Sequence, residues 1–317
     1  MNYAIGTFLF NYFELGILLY GIGKFGFWKA VCIAIFFKIG KLISEVIKCD
    51  SIRFIALVLL CFSVLPAIYN DNYIIMCISS IFIEITLVWS RKFFKRREKT
   101  SKKHKVISRI LGFMFAPIFS LWLFSVIAIW WILLYREEEK KWLVYRKLIP
   151  LFDENNKLYY AILFFHHMHY FMYCYMIPYL LVVQMGIPYL WVGVLFFVGW
   201  GAYNLYDGRV NPKPQYIAWG HLISSLGIMI IWIFQFNIYM VMLGWFLTGL
   251  GGGTFYMIKF NLSEENDGEL VELYAQFLGT VLFFVIFTFF ALDFIFIFAT
   301  LFAIIVVVLS VRVIYKG

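Results

Sequence analysis

The chain has 317 residues, of which 63% are hydrophobic, 22% aromatic and only 14% charged, with a formal net charge of +9. That is too apolar for a soluble globular domain of this length, and several apolar runs reach the ~18 residues that cross a bilayer core. The composition excludes a soluble enzyme and predicts an all-α, polytopic integral membrane protein of about 11–12 transmembrane helices in two bundles.

Spans are expected at roughly 4–22, 25–47, 53–69, 73–90, 110–134, 158–184, 188–206, 216–235, 238–260, 270–292 and 294–313. No basic start precedes a short apolar core with a small-residue cleavage site, so the first run is read as a retained anchor. Much of the positive charge lies in "RKFFKRREKTSKKHKVISR" (91–109). It is expected as a cytoplasmic loop that obeys the positive-inside rule, not as a nucleic-acid site. A single crossing at 110–134 would put the basic segment 136–157, with Arg136, Lys140, Lys141, Arg146 and Lys147, on the opposite side. The segment 110–134 is therefore expected to cross an even number of times or to dip in and return, with Pro117 marking the break. An alternative is partial insertion of "KWLVYRKLIPLF" (141–152) as an interfacial helix. The domains expected are an N-terminal bundle (1–135), a cytoplasmic linker (136–157) and a C-terminal six-helix bundle (158–317).

The cysteines Cys32, Cys49, Cys61, Cys77 and Cys174 stand singly and read as small buried apolar residues. Ionisable residues at bilayer depth are site candidates because each is costly there without a cavity or a partner. They are Glu14, Lys38, Glu84, His166, His167, His169 and His221. In "FFHHMHYFMYCYMIPYLL" (164–181), at ~100° per residue, His166, His169, Tyr170 and Tyr173 share one helical face, while His167 and Tyr175 point elsewhere. Three readings stay open for this stripe: a proton- or solute-interacting cavity wall, hydrogen-bonded structural histidines, or ligation of a metal or haem. Imidazole suits zinc, copper or iron, and a zinc site usually takes three protein ligands, for which His221 is the available third. Asn11 and Glu14 repeat the spacing of His166 and His169 in the first span. Glu84 is expected to form an ion pair with Lys38 or Lys41. Gly249, Gly251, Gly252 and Gly253, with Gly220, Ser224 and Gly227, are read as helix-packing positions. No P-loop, GxSxG, HExxH or paired CxxC occurs, so no catalytic residue, resident metal or cofactor is assigned.

The C-terminal half (158–313) resembles the second half of a major facilitator superfamily transporter in three features. "YMIPYLLVVQMGIPYLWVGVLFFVGWGAYNLYDGR" (175–209) has a span with a late proline, a short turn and a glycine-bearing span. Its terminal Asp207, Gly208 and Arg209 look like a worn copy of the superfamily's G-x4-D-x2-G-R/K-x-R/K loop, with Gly201 and Asp207 one residue too far apart. "GWFLTGLGGGTFYMIKF" (244–260) is similar to a glycine-rich fourth or tenth span. The resemblance implies a secondary, proton-linked transporter of a small solute in the cell membrane, and not an enzyme. Asn11, Glu14, His166, His169, Tyr170 and Tyr173 would line the path. Its partners would be the lipid bilayer and a small solute or proton, with no nucleic acid. An alternative is a non-transporting subunit of a larger membrane complex, held by a membrane-protein partner, and the third is an intramembrane His-ligated metal or haem protein.

Overall fold

The computed structural model describes residues 2–48, 60, 64, 72–97, 102–134, 144–145, 157–205, 213–254 and 267–316. The chain divides into two compact units, Met1–Leu148 and Ile149–Gly317.

In the first unit α1 (Asn2–Phe25) is the central helix, packed against α2 (Phe27–Val46), α3 (Tyr73–Arg97) and α4 (Lys102–Phe115). Its apolar residues Leu9, Phe13, Leu15 and Ile17 are all buried although they lie on different faces, as expected for a helix that is hydrophobic all round. The reversal into α2 uses Gly26 at φ 85°, a conformation that favours glycine. Of the expected span 53–69 only Leu60 and Val64 are described, both buried.

The expected span 110–134 is two helices, α4 and α5 (Leu121–Leu133), separated by a 3-10 turn at Ala116–Ile118. Pro117 lacks an N–H and cannot continue the helix, and the Phe119 amide closes the tight turn on Ala116 O at 3.0 Å. Lys105 lies over the Tyr3 ring, Gly112 lies against Phe8 O and Asn11, and Phe119 packs on Gly16. The chain then turns back: Phe124 meets Phe13 with ring centroids 4.7 Å apart, and Trp131 lies on Gly6 and donates to Asn2 O at 2.8 Å. The segment thus climbs α1 from Tyr3 to Gly16 and returns to Asn2. At about 1.5 Å per residue each limb is roughly 20 Å long, shorter than a hydrocarbon core of about 30 Å.

Two expectations are corrected here. Residues 91–97 and 102–109 are not a loop, because they form the last turns of α3 and the first turns of α4. Val144 and Tyr145 are extended, not helical: they form β2, pairing antiparallel with β1 (Ile47–Lys48), with Ile47 opposite Tyr145. The rest of 141–152 lies outside the described residues.

The second unit begins with α6 (Lys157–Tyr173), which breaks at Cys174–Tyr175 and continues through Met176–Pro178 into a π-helix at Tyr179–Gln184. Pro178 supplies no amide for the Cys174 carbonyl, and Met185 N reaches Leu180 O at 2.9 Å in the wider i to i−5 pattern. A turn with Gly186 at φ 64° follows. Then come α7 (Tyr189–Tyr203), α8 (Pro214–Ile233), α9 (Ile238–Gly253), α10 (Asp267–Phe289) and α11 (Asp293–Lys316). Asn237 caps α9, its side-chain oxygen accepting from Tyr239 N at 3.1 Å and Met240 N at 3.3 Å. Helix α6 packs on α10 and α11, α8 on α9 and α11, and α7 on α9.

Glycines let α9 approach two neighbours at backbone distance. On one side Gly244 meets Gly227 and Gly251 meets Gly220 and Ser224 of α8. On the other, Gly249 meets Gly199 and Gly253 meets Tyr203 of α7. A Cβ at Gly244 would come within 2.6 Å of Gly227 O. Such contacts suit membrane helices, which associate by close packing because burial from water no longer drives them.

Five helices, Asn2–Phe25, Tyr73–Lys92, Gln215–Ile233, Gly268–Phe289 and Asp293–Tyr315, are long and apolar enough to span a bilayer. Helix α11 exposes Ile297, Leu301, Ile304 and Val308 along one side, and α8 exposes Trp219, Leu222, Leu226 and Met229. Apolar stripes of this length mark a lipid-facing surface. The protein is an all-α, multi-pass membrane protein.

Candidate functional site

The histidine stripe of α6 is set by helical geometry. His166 and His169, one turn apart, face α8, where His221 meets them; the three are 3%, 1% and 0% exposed. His166 Nδ1 and His221 Nε2 are 2.8 Å apart, and His221 Nδ1 is 2.8 Å from the carbonyl of Ile217. A carbonyl only accepts, so His221 Nδ1 carries the proton and its Nε2 lone pair accepts from His166 Nδ1–H. His169 Nδ1 is buried with no hydrogen-bond partner among the described residues. One ligand nitrogen from each of the three rings lies within 4.8 Å of the others.

The surroundings are aromatic and close-packed. The His169 and Tyr173 rings stack at 6.0 Å, and Tyr173 meets Trp245 of α9 edge-on at 5.6 Å, next to Thr248, whose hydroxyl donates to Trp245 O at 2.8 Å. Tyr170 sits against Trp200 and Trp245, each at 6.0 Å. Gly252 lies between Tyr203 and His166: a Cβ there would stand 3.3 Å from the Tyr203 ring and 3.7 Å from His166 Cε1. Gly252 thus borders the site, while Gly249, Gly251 and Gly253 pack helices.

His167 turns to α10, where its Nε2 is 3.6 Å from the Glu272 carboxylate, and Gln276 Nε2 donates to the same oxygen at 3.0 Å. Tyr175 faces α10 as well, its hydroxyl 3.4 Å from that of Thr280. The stripe therefore splits as its spacing predicts. Sequence reasoning missed Glu272, Gln276 and Thr248. The spacing of Glu272, Gln276 and Thr280, four residues apart on one face of α10, was the available signal.

In the first unit, Glu14 forms an ion pair with Lys38. The expected pairing of Glu84 with Lys38 is corrected, because Lys38 is engaged by Glu14. Glu84 is 0% exposed and neither carboxyl oxygen has a hydrogen-bond partner among the described residues. Glu45 pairs with Lys92, and Arg91 and Lys41 lie over the Phe10 ring at 4.2 and 5.4 Å. Asn11 donates to Thr7 O at 2.5 Å within its own helix and sits where α4 crosses at Gly112. Asp207, Gly208 and Arg209 lie outside the described residues.

Three neutral imidazoles suit borderline metal ions such as zinc, copper, nickel or iron, and suit magnesium or calcium poorly. The His221 Nδ1–H to carbonyl contact is the arrangement that fixes a ligating histidine's tautomer and points its other nitrogen at the ion. A tetrahedral site with metal–nitrogen bonds near 2.1 Å needs nitrogens about 3.4 Å apart, so ligation would require His166 and His221 to give up their 2.8 Å contact and the more distant nitrogens, within 4.8 Å, to draw closer.

No known family profile matches the chain, and no curated protein matches it in sequence. Its fold does have solved counterparts. A bacterial metal transporter superposes with a TM-score of 0.64 at 11% identity, over 98% of this chain and 97% of that one. A bacterial homologue of the iron transporter ferroportin, in its inward-facing state, gives a TM-score of 0.66 at 12% identity over the same shares. At that identity the likeness defines the class of architecture: a major-facilitator-like membrane fold, found in metal transporters.

Proposed function

We propose that the protein is a membrane transporter whose cargo is a divalent transition-metal ion, held by His166, His169 and His221. The carrying observation is the convergence of three buried ligand nitrogens from α6 and α8 within 4.8 Å. The cargo of the two proteins that share the fold favours the same reading. Metal ligation, third among the sequence readings, moves ahead of a general solute path because His221 reaches His166 and because His169 offers an unpartnered buried nitrogen.

The arrangement does three things for such a cargo. Burial removes competing water and strengthens ligation by the rings. Neutral imidazoles bind a cation only while unprotonated, so acidification releases it. The set itself has no negative charge, and the Glu272 carboxylate stands beside the adjacent His167. The break at Cys174–Tyr175 and the π-helix beyond it make α6 a discontinuous helix, of the kind that serves substrate sites in transporters.

The test is metal binding to purified protein, together with uptake into proteoliposomes that enclose a metal-sensitive dye. Saturable uptake of zinc or ferrous iron that His169→Ala and His221→Ala abolish is the expected result. Uptake that is indifferent to both substitutions removes the histidines from the mechanism.

A further inference from the structure

The first unit holds a buried acid that the metal site does not use. Glu84 of α3 is fully buried. It lies where α2 and α3 come closest: a Cβ on Gly40 would be 2.5 Å from Ile81 O and 3.1 Å from Glu84 Cβ. The charged groups that act on it are Lys41 and Lys38 of α2, Glu14 of α1 and Arg91 of α3 itself. Lys38 is taken by Glu14, while Lys41 and Arg91 stand over Phe10. No group among the described residues hydrogen-bonds to either carboxyl oxygen.

An anion buried without a hydrogen bond or a contacting cation is far more costly than a neutral carboxyl. A glutamate retained at bilayer depth for structure alone would be expected to hold a partner, as Glu14 and Glu45 do. We propose that Glu84 is a proton-binding site of the N-terminal unit, its carboxyl loading and releasing one proton during each transport cycle. On release the O–H bond breaks and the proton passes to water. The carboxylate left behind is balanced by Lys41 and Lys38, the cations of the adjoining helix. Lys38 is then shared by two carboxylates, Glu14 at 21% side-chain exposure and the occluded Glu84.

The coupling part of this inference rests on the metal-transport reading; the proton site does not. Two measurements separate them. In proteoliposomes, one proton exchanged per ion makes steady-state metal accumulation change about tenfold per pH unit of imposed gradient. Glu84→Gln and Glu84→Met are expected to abolish that dependence while metal binding at the histidines stays as in the wild type. The methionine variant guards against misfolding, since a side chain with no hydrogen bonds among the described residues leaves none of them unpaired when made apolar. In detergent, the infrared difference spectrum between acid and alkaline buffers should show a protonated-carboxyl band that both variants lack. A gradient dependence that survives in both variants, or the absence of any Glu84-dependent carboxyl band, overturns the proposal. If the wild-type protein moves no metal, the transport reading fails and the infrared band alone decides the proton site.

Discussion

Helix α1 of the first unit and helix α6 of the second each carry two polar residues three positions apart, Asn11 and Glu14, and His166 and His169. Their chemistry then diverges. In the first unit Glu14 is closed by Lys38, and Asn11 turns back on its own helix. In the second, His166 is held by His221 and His169 keeps an unpartnered nitrogen. Charged side chains at bilayer depth must neutralise one another, so their pairing consumes the groups that a solute would need. Imidazoles can be buried neutral and still present lone pairs, so the same depth leaves them open to a ligand. The comparison favours the second unit for the proposed cation binding, while Glu14 and Lys38 compensate each other in the first.

The comparison breaks most readily at its two centres. Removing His169 or His221 takes away one of three ligands and should weaken metal affinity by more than about a hundredfold, measured by titration calorimetry, since outer-shell changes alone cost about 10–100-fold. Lys38→Met leaves the part-buried Glu14 without the cation it contacts and should destabilise the protein by about 1–3 kcal/mol in thermal or denaturant unfolding. The double variant Glu14→Gln with Lys38→Met should recover most of that loss, because an ion pair replaced as a whole is often nearly neutral. Full stability in Lys38→Met alone would show that the first unit is not charge-locked.

Smaller effects sharpen the picture. Gly251→Leu drives a side chain into Gly220 and Ser224 and should lower stability by about 1–3 kcal/mol while leaving the identity of the bound ion unchanged. Glu272→Gln removes the carboxylate beside His167 and should weaken metal binding by about tenfold, as changes behind a ligand shell do. A loss as large as that of His169→Ala would instead make Glu272 a direct ligand.

Much of this was legible in the sequence because its signals are local. The apolar runs fixed where most helices lie. The charge of 136–157 required a return somewhere in 110–134, and Pro117 marked the place. Helical periodicity separated His166 and His169 from His167 correctly. What stayed hidden depends on which helices become neighbours. Nothing in the spacing of His166 and His221 says that α6 and α8 meet at that level. Lys38 had two carboxylates within plausible reach, and only tertiary packing chose Glu14 over Glu84. Glu272 escaped notice because it lies near the polar start of α10, where an acid reads as interfacial until His167 is found opposite it. The basic stretch 91–109 read as a loop because charge masks helix when a helix extends beyond the apolar zone.

Metal binding by purified protein tests the central claim most directly. Equilibrium titration with zinc or ferrous iron should give one tight site per chain, lost in His166→Ala, His169→Ala and His221→Ala, retained in Glu14→Gln and weakened on acidification. Binding that survives all three histidine substitutions, or that disappears in Glu14→Gln alone, would contradict the account.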